Sequence, residues 1–280
     1  MTSLGKAALF VIGLITIFVG ATVAGRAVGP VSAESDPNAH SGHSPEVGAP
    51  VTAGPGGLQV SEGGYSLKIP EPTLPEGPWK LAVTVTGQDE RPITTFRTAE
   101  GGQLHLVLVR RDLSGYQHLH PSTIARGAWT APVDLTPGPY RLIATFRPVA
   151  AERAMALGID LIVSGFFRPG LLPQPSTTDY PGDYEAHLEG TARAGTLSRL
   201  TVTARRAGTV ATDPQPYQIG SGELTVLRVG DLASLRVRRG RSGHEFDVEV
   251  PSPGTYRVFF DFTDRNALTT ASFTVVVTRS

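Results

Sequence analysis

Three of the chain's seven histidines fall in one short stretch, Leu104–Pro121, at His105, His118 and His120. A neutral imidazole nitrogen is a good donor to Cu, Zn and Ni. An ion held at about 2.0–2.1 Å by each nitrogen needs all three rings in one small volume. A β-hairpin supplies that volume. Leu104–Arg110 and Tyr116–His120 both alternate apolar and polar residues, and Arg111–Ser114 reads as a four-residue polar loop between them. In that register Val109 faces Tyr116, Val107 faces His118, Leu106 faces Leu119 and His105 faces His120. Strand side chains alternate between faces. Leu104, Leu106, Leu108, Gln117 and Leu119 therefore share one face, and His105, Val107, Val109, Tyr116, His118 and His120 the other. Opposed Cβ atoms lie roughly 4.5–5.5 Å apart, so the three rings can converge on one ion. A one-residue slip would scatter them. The ordinary alternative is that strand histidines are surface residues or hydrogen-bonded parts of a core.

The elements that must hold this hairpin are short strands with turn punctuation. From Leu58 they are expected at Tyr65–Ile69, Trp79–Thr86, Leu104–Arg110, Tyr116–His120, Ala128–Val133, Tyr140–Phe146 and Leu157–Val163. Only Ala150–Ala156 suggests a helical turn. The pattern resumes at Tyr184–Leu188, Ser198–Ala204, Gly222–Arg228, Ala233–Arg238, Glu245–Val250, Gly254–Phe262 and Leu268–Thr278. Closely spaced short strands of this kind predict β-sandwiches. Phe166–Gly182 carries Pro169, Pro173, Pro175 and Pro181 and reads as a linker between two modules. The expected organisation is all-β, with two tandem Ig-like β-sandwich modules at residues 58–165 and 183–280.

The second half repeats the first. Pro137-Gly138-Pro139-Tyr140-Arg141 resembles Pro253-Gly254-Thr255-Tyr256-Arg257, a turn feeding a strand, in which the Tyr is expected to pack and the Arg to face water. Gly102–Leu106 matches Gly220–Leu224, and Asp112-Leu113-Ser114 matches Asp231-Leu232-Ala233. Glu223, Arg236 and Arg238 then stand where His105, His118 and His120 stand in the first hairpin. Leu224, Val226, Leu235 and Val237 still line an inner face, and Glu223 is expected to face Arg238. The scaffold does not require histidine at these positions, which favours a specific role for the three that are present. Arg236, Arg238, Arg239 and Arg241 form a basic cluster best read as a solvated strand edge that positive charge protects from pairing. His187 and His244 are isolated and read as surface or packing residues.

Upstream, Ala7–Gly25 is apolar or small throughout and follows Lys6. At about 1.5 Å per residue it spans roughly 28 Å, enough for a hydrocarbon core. An uncleaved transmembrane anchor within residues 1–28 is favoured over a signal peptide, for which Val31-Ser32-Ala33 is the cleavage candidate. Either segment exports the remainder. Residues 29–57, rich in Pro, Gly, Ser and Ala, read as a flexible spacer in which His40 and His43 are solvated.

Composition narrows the functions. The 280 residues carry a formal net charge of zero and no cysteine. Zero charge gives no general pull toward nucleic acid, and none is expected as a partner. Without cysteine there is neither a disulfide nor a thiolate metal site. No Gly-x-Ser-x-Gly elbow, Walker A loop, His-Glu-x-x-His or Rossmann glycine fingerprint occurs, and no acid pair stands out. The chain is not expected to be an enzyme.

The run Asp112-Leu113-Ser114-Gly115-Tyr116-Gln117-His118-Leu119-His120-Pro121, with His105 upstream, resembles a family of uncharacterised actinobacterial secreted or membrane-anchored proteins that share a long signature here. Ser252–Phe262 is similar to the end of that family's second unit. The second unit departs from the pattern at Glu223, Arg236 and Arg238, where the family tends to have histidine. Similar proteins often stand beside copper-transporting ATPases, so the resemblance implies metal handling outside the membrane. The combined expectation is a membrane-tethered, extracytoplasmic module that binds copper, with zinc less favoured, through His105, His118 and His120. A metal-transport or envelope protein is the expected partner. The competing expectation is a structural or interaction protein of the cell envelope that holds no metal.

Overall fold

Strict apolar alternation and frequent turns build strands almost exclusively. The computed structural model describes residues 55–98, 102–211, 222–240, 244–265 and 267–279. The expected anchor at Ala7–Gly25, and most of the expected spacer with His40 and His43, lie outside the described residues. No helix among the described residues is long and apolar enough to cross a membrane.

In chain order the first half contains β1 (Ser61–Glu62), β2 (Tyr65–Lys68), β3 (Thr73–Leu74), β4 (Gly77–Thr86), β5 (Leu104–Arg110), β6 (Gln117–Leu119), β7 (Ser122–Thr123), β8 (Ala128–Leu135), β9 (Gly138–Phe146) and β10 (Met155–Val163). The second contains β11 (Thr178–Asp179), β12 (Tyr184–Glu189), β13 (Leu197–Arg206), β14 (Thr209–Val210), β15 (Glu223–Arg228), β16 (Val237–Arg239), β17 (Glu245–Glu249), β18 (Gly254–Asp264) and β19 (Ala267–Val277). The protein is thus all-β over its described residues, with a single 3-10 turn at Ala125–Gly127. The helical turn expected over Ala150–Ala156 is not formed. β10 begins at Met155 opposite Phe146, so the intervening residues only close a hairpin.

Each half is a two-layer Ig-like sandwich. In the first, a sheet ordered β1-β2-β4-β8-β7 faces one ordered β3-β10-β9-β5-β6. Leu81, Val83, Leu106, Leu108, Leu142 and Leu157 are among the residues that fill the space between them. In the second, β11-β12-β13-β17-β16 faces β15-β18-β19, around Val202, Phe246, Phe260 and Phe273. These alternating inner faces are the ones the sequence implies.

A third apolar cluster joins the halves, and its members come in equivalent pairs. Val109 and Leu227, Leu113 and Leu232, and Ile143 and Phe259 are all buried together. The outward face of the histidine sheet is therefore covered by the matching face of the second repeat. The loops repeat as well. Leu113 (φ 64°) and Leu232 (φ 61°) both adopt left-handed backbone, a strained choice for leucine that aims both side chains into the shared cluster. Ser114 N–H donates to Asp112 Oδ1 and Ala233 N–H to Asp231 Oδ1, both at 3.1 Å.

Tyr140 and Tyr256 pack as expected, each 1% exposed. Their neighbours do not face water. Arg141 and Arg257 are buried. Arg141 donates to the Gly57 carbonyl through Nε at 2.9 Å and through a terminal nitrogen at 2.7 Å. Arg257 donates to Thr274 Oγ1 at 2.8 Å and lies over the Phe259 ring. Alternation on β9 and β18 does place these arginines outward, but outward here means toward the other repeat or the incoming chain. Gly158 makes the close approach to Arg141 possible, since a Cβ there would stand 1.9 Å from the Gly57 oxygen. Gly56 in turn exchanges backbone hydrogen bonds with Ser234 at 2.8 and 2.9 Å. The chain entering the first sandwich is thereby stitched to the second.

Candidate metal centre

The histidine hairpin has the register its alternation dictates. Leu106 pairs with Leu119, Val107 with His118 and Leu108 with Gln117. β5 is also bonded along its length to β9, with His105 opposite Thr145. His105 thus stands on a strand held from both sides, His118 on the edge strand β6 paired to it, and His120 follows β6 where the chain crosses to β7 in the other sheet. The ring centroids are 6.0 Å apart for His105 and His118, 5.6 Å for His105 and His120, and 4.8 Å for His118 and His120. All three histidines are brought together.

A fourth donor joins them from the second repeat. One ligand atom each from His105, His118, His120 and Glu223 can be chosen so that all lie within 4.8 Å of one another. Donors around a four-coordinate ion bound at about 2.0–2.1 Å sit roughly 3.3 Å apart, so small side-chain movements complete such a shell. Glu223 Oε2 lies 3.0 Å from His118 Nε2 and 4.0 Å from His105 Nδ1. The expected pairing of Glu223 with Arg238 does not occur. β15 sets Glu223 opposite Asp261 on β18, while β16 turns away to pair with β17 and puts Arg238 opposite Asp247. Ser234 and Leu235 still bond back to β15, through the Leu227–Ser234 bridge and the Leu235 N–H to Val226 carbonyl contact. The strand changes sheets just beyond Leu235, and Glu223 faces the histidines.

Behind the four donors stands a buried carboxylate. Asp261, 1% exposed, receives His118 Nδ1 at 3.1 Å on Oδ2. The Tyr116 hydroxyl donates to the same oxygen at 2.7 Å, with the Thr225 hydroxyl 3.0 Å from the phenol. Thr270 donates to Asp261 Oδ1. Tyr116 is itself fixed by stacking on Phe259, with centroids 4.0 Å apart and planes 2° apart. A carboxylate on the far ring nitrogen is the usual means of orienting a metal-binding histidine and raising its basicity.

The charges follow from this geometry. Burial disfavours the His118 cation, but the Asp261 hydrogen bond and the pull of Glu223 and Asp261 outweigh it and raise the imidazole above its ordinary value. Burial and the neighbouring His118 lower His120, against a weaker pull from Asp261. In the metal-free protein His118 lies between two carboxylates, Asp261 at Nδ1 and Glu223 at Nε2, an arrangement that favours its protonated form. A metal ion at Nε2 would take the place of that proton against Glu223.

The other two histidines among the described residues, His187 and His244, lie apart. His187 Nε2 is 3.2 Å from Glu185 and its Nδ1 3.3 Å from the Thr178 hydroxyl. Burial, then Arg239, lowers His244. Of the basic cluster, Arg238 and Arg239 lie on β16, an edge strand, and Arg236 just before it, with Arg236 and Arg238 exposed, while Arg241 lies outside the described residues. Two residues of the candidate site, Glu223 and Asp261, were not assigned to it by the sequence reading. A signal for them was present, because a strand face carrying Val107, Val109 and Tyr116 beside the histidines is too apolar to be solvated, and its covering had to come from the other repeat.

The chain belongs to a family defined by a domain of unknown function (DUF8832), whose family model matches twice, at residues 59–161 and 177–279. No curated protein matches it. Among solved structures, the Escherichia coli adhesin FdeC is 15% identical with a TM-score of 0.25, over 78% of this chain and 65% of that one. Extracellular domains 3–5 of Drosophila OTK are 14% identical with a TM-score of 0.20, over 79% and 67%. The Yersinia pseudotuberculosis adhesin InvE is 10% identical with a TM-score of 0.22, over 78% and 60%. The chain spans just under two thirds of the length of the FdeC structure.

Proposed function

We propose that this protein is an extracytoplasmic metal-binding module, tethered to the membrane by Ala7–Gly25, in which His105, His118, His120 and Glu223 hold a copper ion. The observation that carries the reading is the convergence of four ligand atoms from two repeats within 4.8 Å, with Asp261 placed on the far nitrogen of His118. Imidazole and carboxylate donors suit both Cu(II) and Zn(II), and at a site of given geometry Cu(II) is bound more tightly. The apolar length of Ala7–Gly25 supports the tether. The cell side follows from export of everything beyond it.

The test is calorimetric titration with Cu(II) and Zn(II) of the soluble portion, prepared without a histidine tag, together with metal analysis of the protein as purified. Saturable one-to-one binding, tighter for copper and lost in His118→Ala/His120→Ala, is expected. Undiminished affinity in that double variant would refute the centre. A stable envelope partner, retained in the presence of chelators, would instead support the purely structural role.

A further inference from the structure

A cavity lies where the outward faces of the two hairpins meet. His105, His118 and Glu223 line it, and so do Arg153, Arg236 and Arg238. Its walls are equivalent but chemically different. Arg236 and Arg238 occupy the positions in the second repeat that His118 and His120 occupy in the first. Arg153 is paired with Glu62 at 3.0 Å. Arg236 and Arg238 are exposed, and among the described residues neither forms an ion pair.

We infer that this cavity is an oxyanion site beside the metal, where a small carboxylate or phosphate ligand is held by Arg236 and Arg238 while one of its oxygens reaches the ion. The inference rests on the metal reading above. A divalent ion would be offset by Glu223 and Asp261, whereas Arg236 and Arg238 have no ion-pair partner among the described residues, the Asp247 carboxylate opposite Arg238 being held by Arg199 at 2.9 Å. Guanidinium forks match carboxylate and phosphate oxygens two at a time. Imidazole and carboxylate donors suit Cu(II), which would accept an oxygen of the anion as a further ligand. The strand switch beyond Leu235 takes Arg236 and Arg238 off the β15 ladder, and both line the cavity.

The copper-loaded protein is titrated separately with inorganic phosphate and with succinate, and the Cu(II) visible and EPR spectra are followed. A saturable spectral change is expected with at least one anion. Arg236→Gln/Arg238→Gln is expected to keep its copper stoichiometry and affinity and to need at least tenfold more anion. Saturation by phosphate alone assigns a phosphate ligand, and saturation by succinate alone assigns a carboxylate. An unchanged anion titration in the double variant, or no spectral change with either anion in the unmodified protein, overturns the inference while leaving the metal centre intact. A chain that takes up no copper sinks the metal reading itself, and this inference with it.

Discussion

His118 Nε2 and Glu223 Oε2 lie 3.0 Å apart across the junction of two repeats. Neither hairpin contains the site alone. The first supplies three imidazoles, and the second supplies the facing carboxylate and, through Asp261, the group that holds His118 in place.

Replacing Glu223 with Gln removes the anionic donor but keeps its size. Because a direct ligand is lost, Cu(II) affinity should fall by at least the roughly 10–100-fold that loss of an outer-shell partner costs. Circular dichroism should stay unchanged, and calorimetry reads the affinity.

Asp261→Asn should weaken metal binding over a similar range without removing any ligand. Its distinguishing readout is the imidazole. With the carboxylate gone, the His118 titration should move downward in histidine-resolved NMR, which a loss of packing alone would not produce.

In the metal-free protein His118 should titrate above the ordinary histidine value near 6.5 and His120 below it. For His118 the folded value is raised, so its contribution to stability is complete below about pH 6.5 and is lost as pH rises through the folded value. His120 acts oppositely, with stability present above about pH 6.5 and lost as pH falls through its lowered value. His118→Gln should let the His120 value rise part of the way back, because one of the two causes depressing it is gone. Copper affinity should climb as pH rises through the His118 value, since the ion must displace that proton.

Asp112 ties the histidine loop to the chain between the sandwiches, accepting from Arg110, Ser114 and the Gly170 N–H. Burial by itself would raise its carboxyl, but these hydrogen bonds bring it down to about 2. Because the folded value is depressed, stability from this group is present above about pH 4 and lost as pH falls toward 2, amounting to roughly 2 kcal/mol. Asp112→Ala should lower Tm by several degrees at neutral pH and flatten that acid limb in pH-dependent melting.

Phe259→Ala should cost about 3–5 kcal/mol, because the ring is 3% exposed within the shared cluster and stacks on Tyr116. Loosening Tyr116 also frees one donor to Asp261. Copper affinity should therefore drop together with the chemical-denaturation midpoint.

The strands, the repeat and the histidine register were all legible from alternation. The opposed pairs Val107–His118 and Leu106–Leu119 are dictated by it and are observed. The covering of the second face was not. Period-two patterning says which side chains share a face but not whether that face meets water or protein, so Arg141 and Arg257 read as solvated although both are buried. Glu223 escaped for a related reason. Reading the second hairpin as a copy of the first put Arg238 across from it, whereas β16 leaves that ladder for β17. A sheet change depends on contacts distant in sequence, and local propensity carries no trace of them.

The paired leucines, Leu113 and Leu232, together with Val109, Leu227, Ile143 and Phe259, hold the halves face to face within a single polypeptide. Two separate, identical subunits meeting this way would be bound to offer the same residues twice, as isologous contacts require. They would also come apart on dilution. Covalent fusion lifts both restrictions. Each partner surface can diverge independently, and assembly of the centre becomes intramolecular, so its occupancy should follow free metal alone and be indifferent to how dilute the protein is.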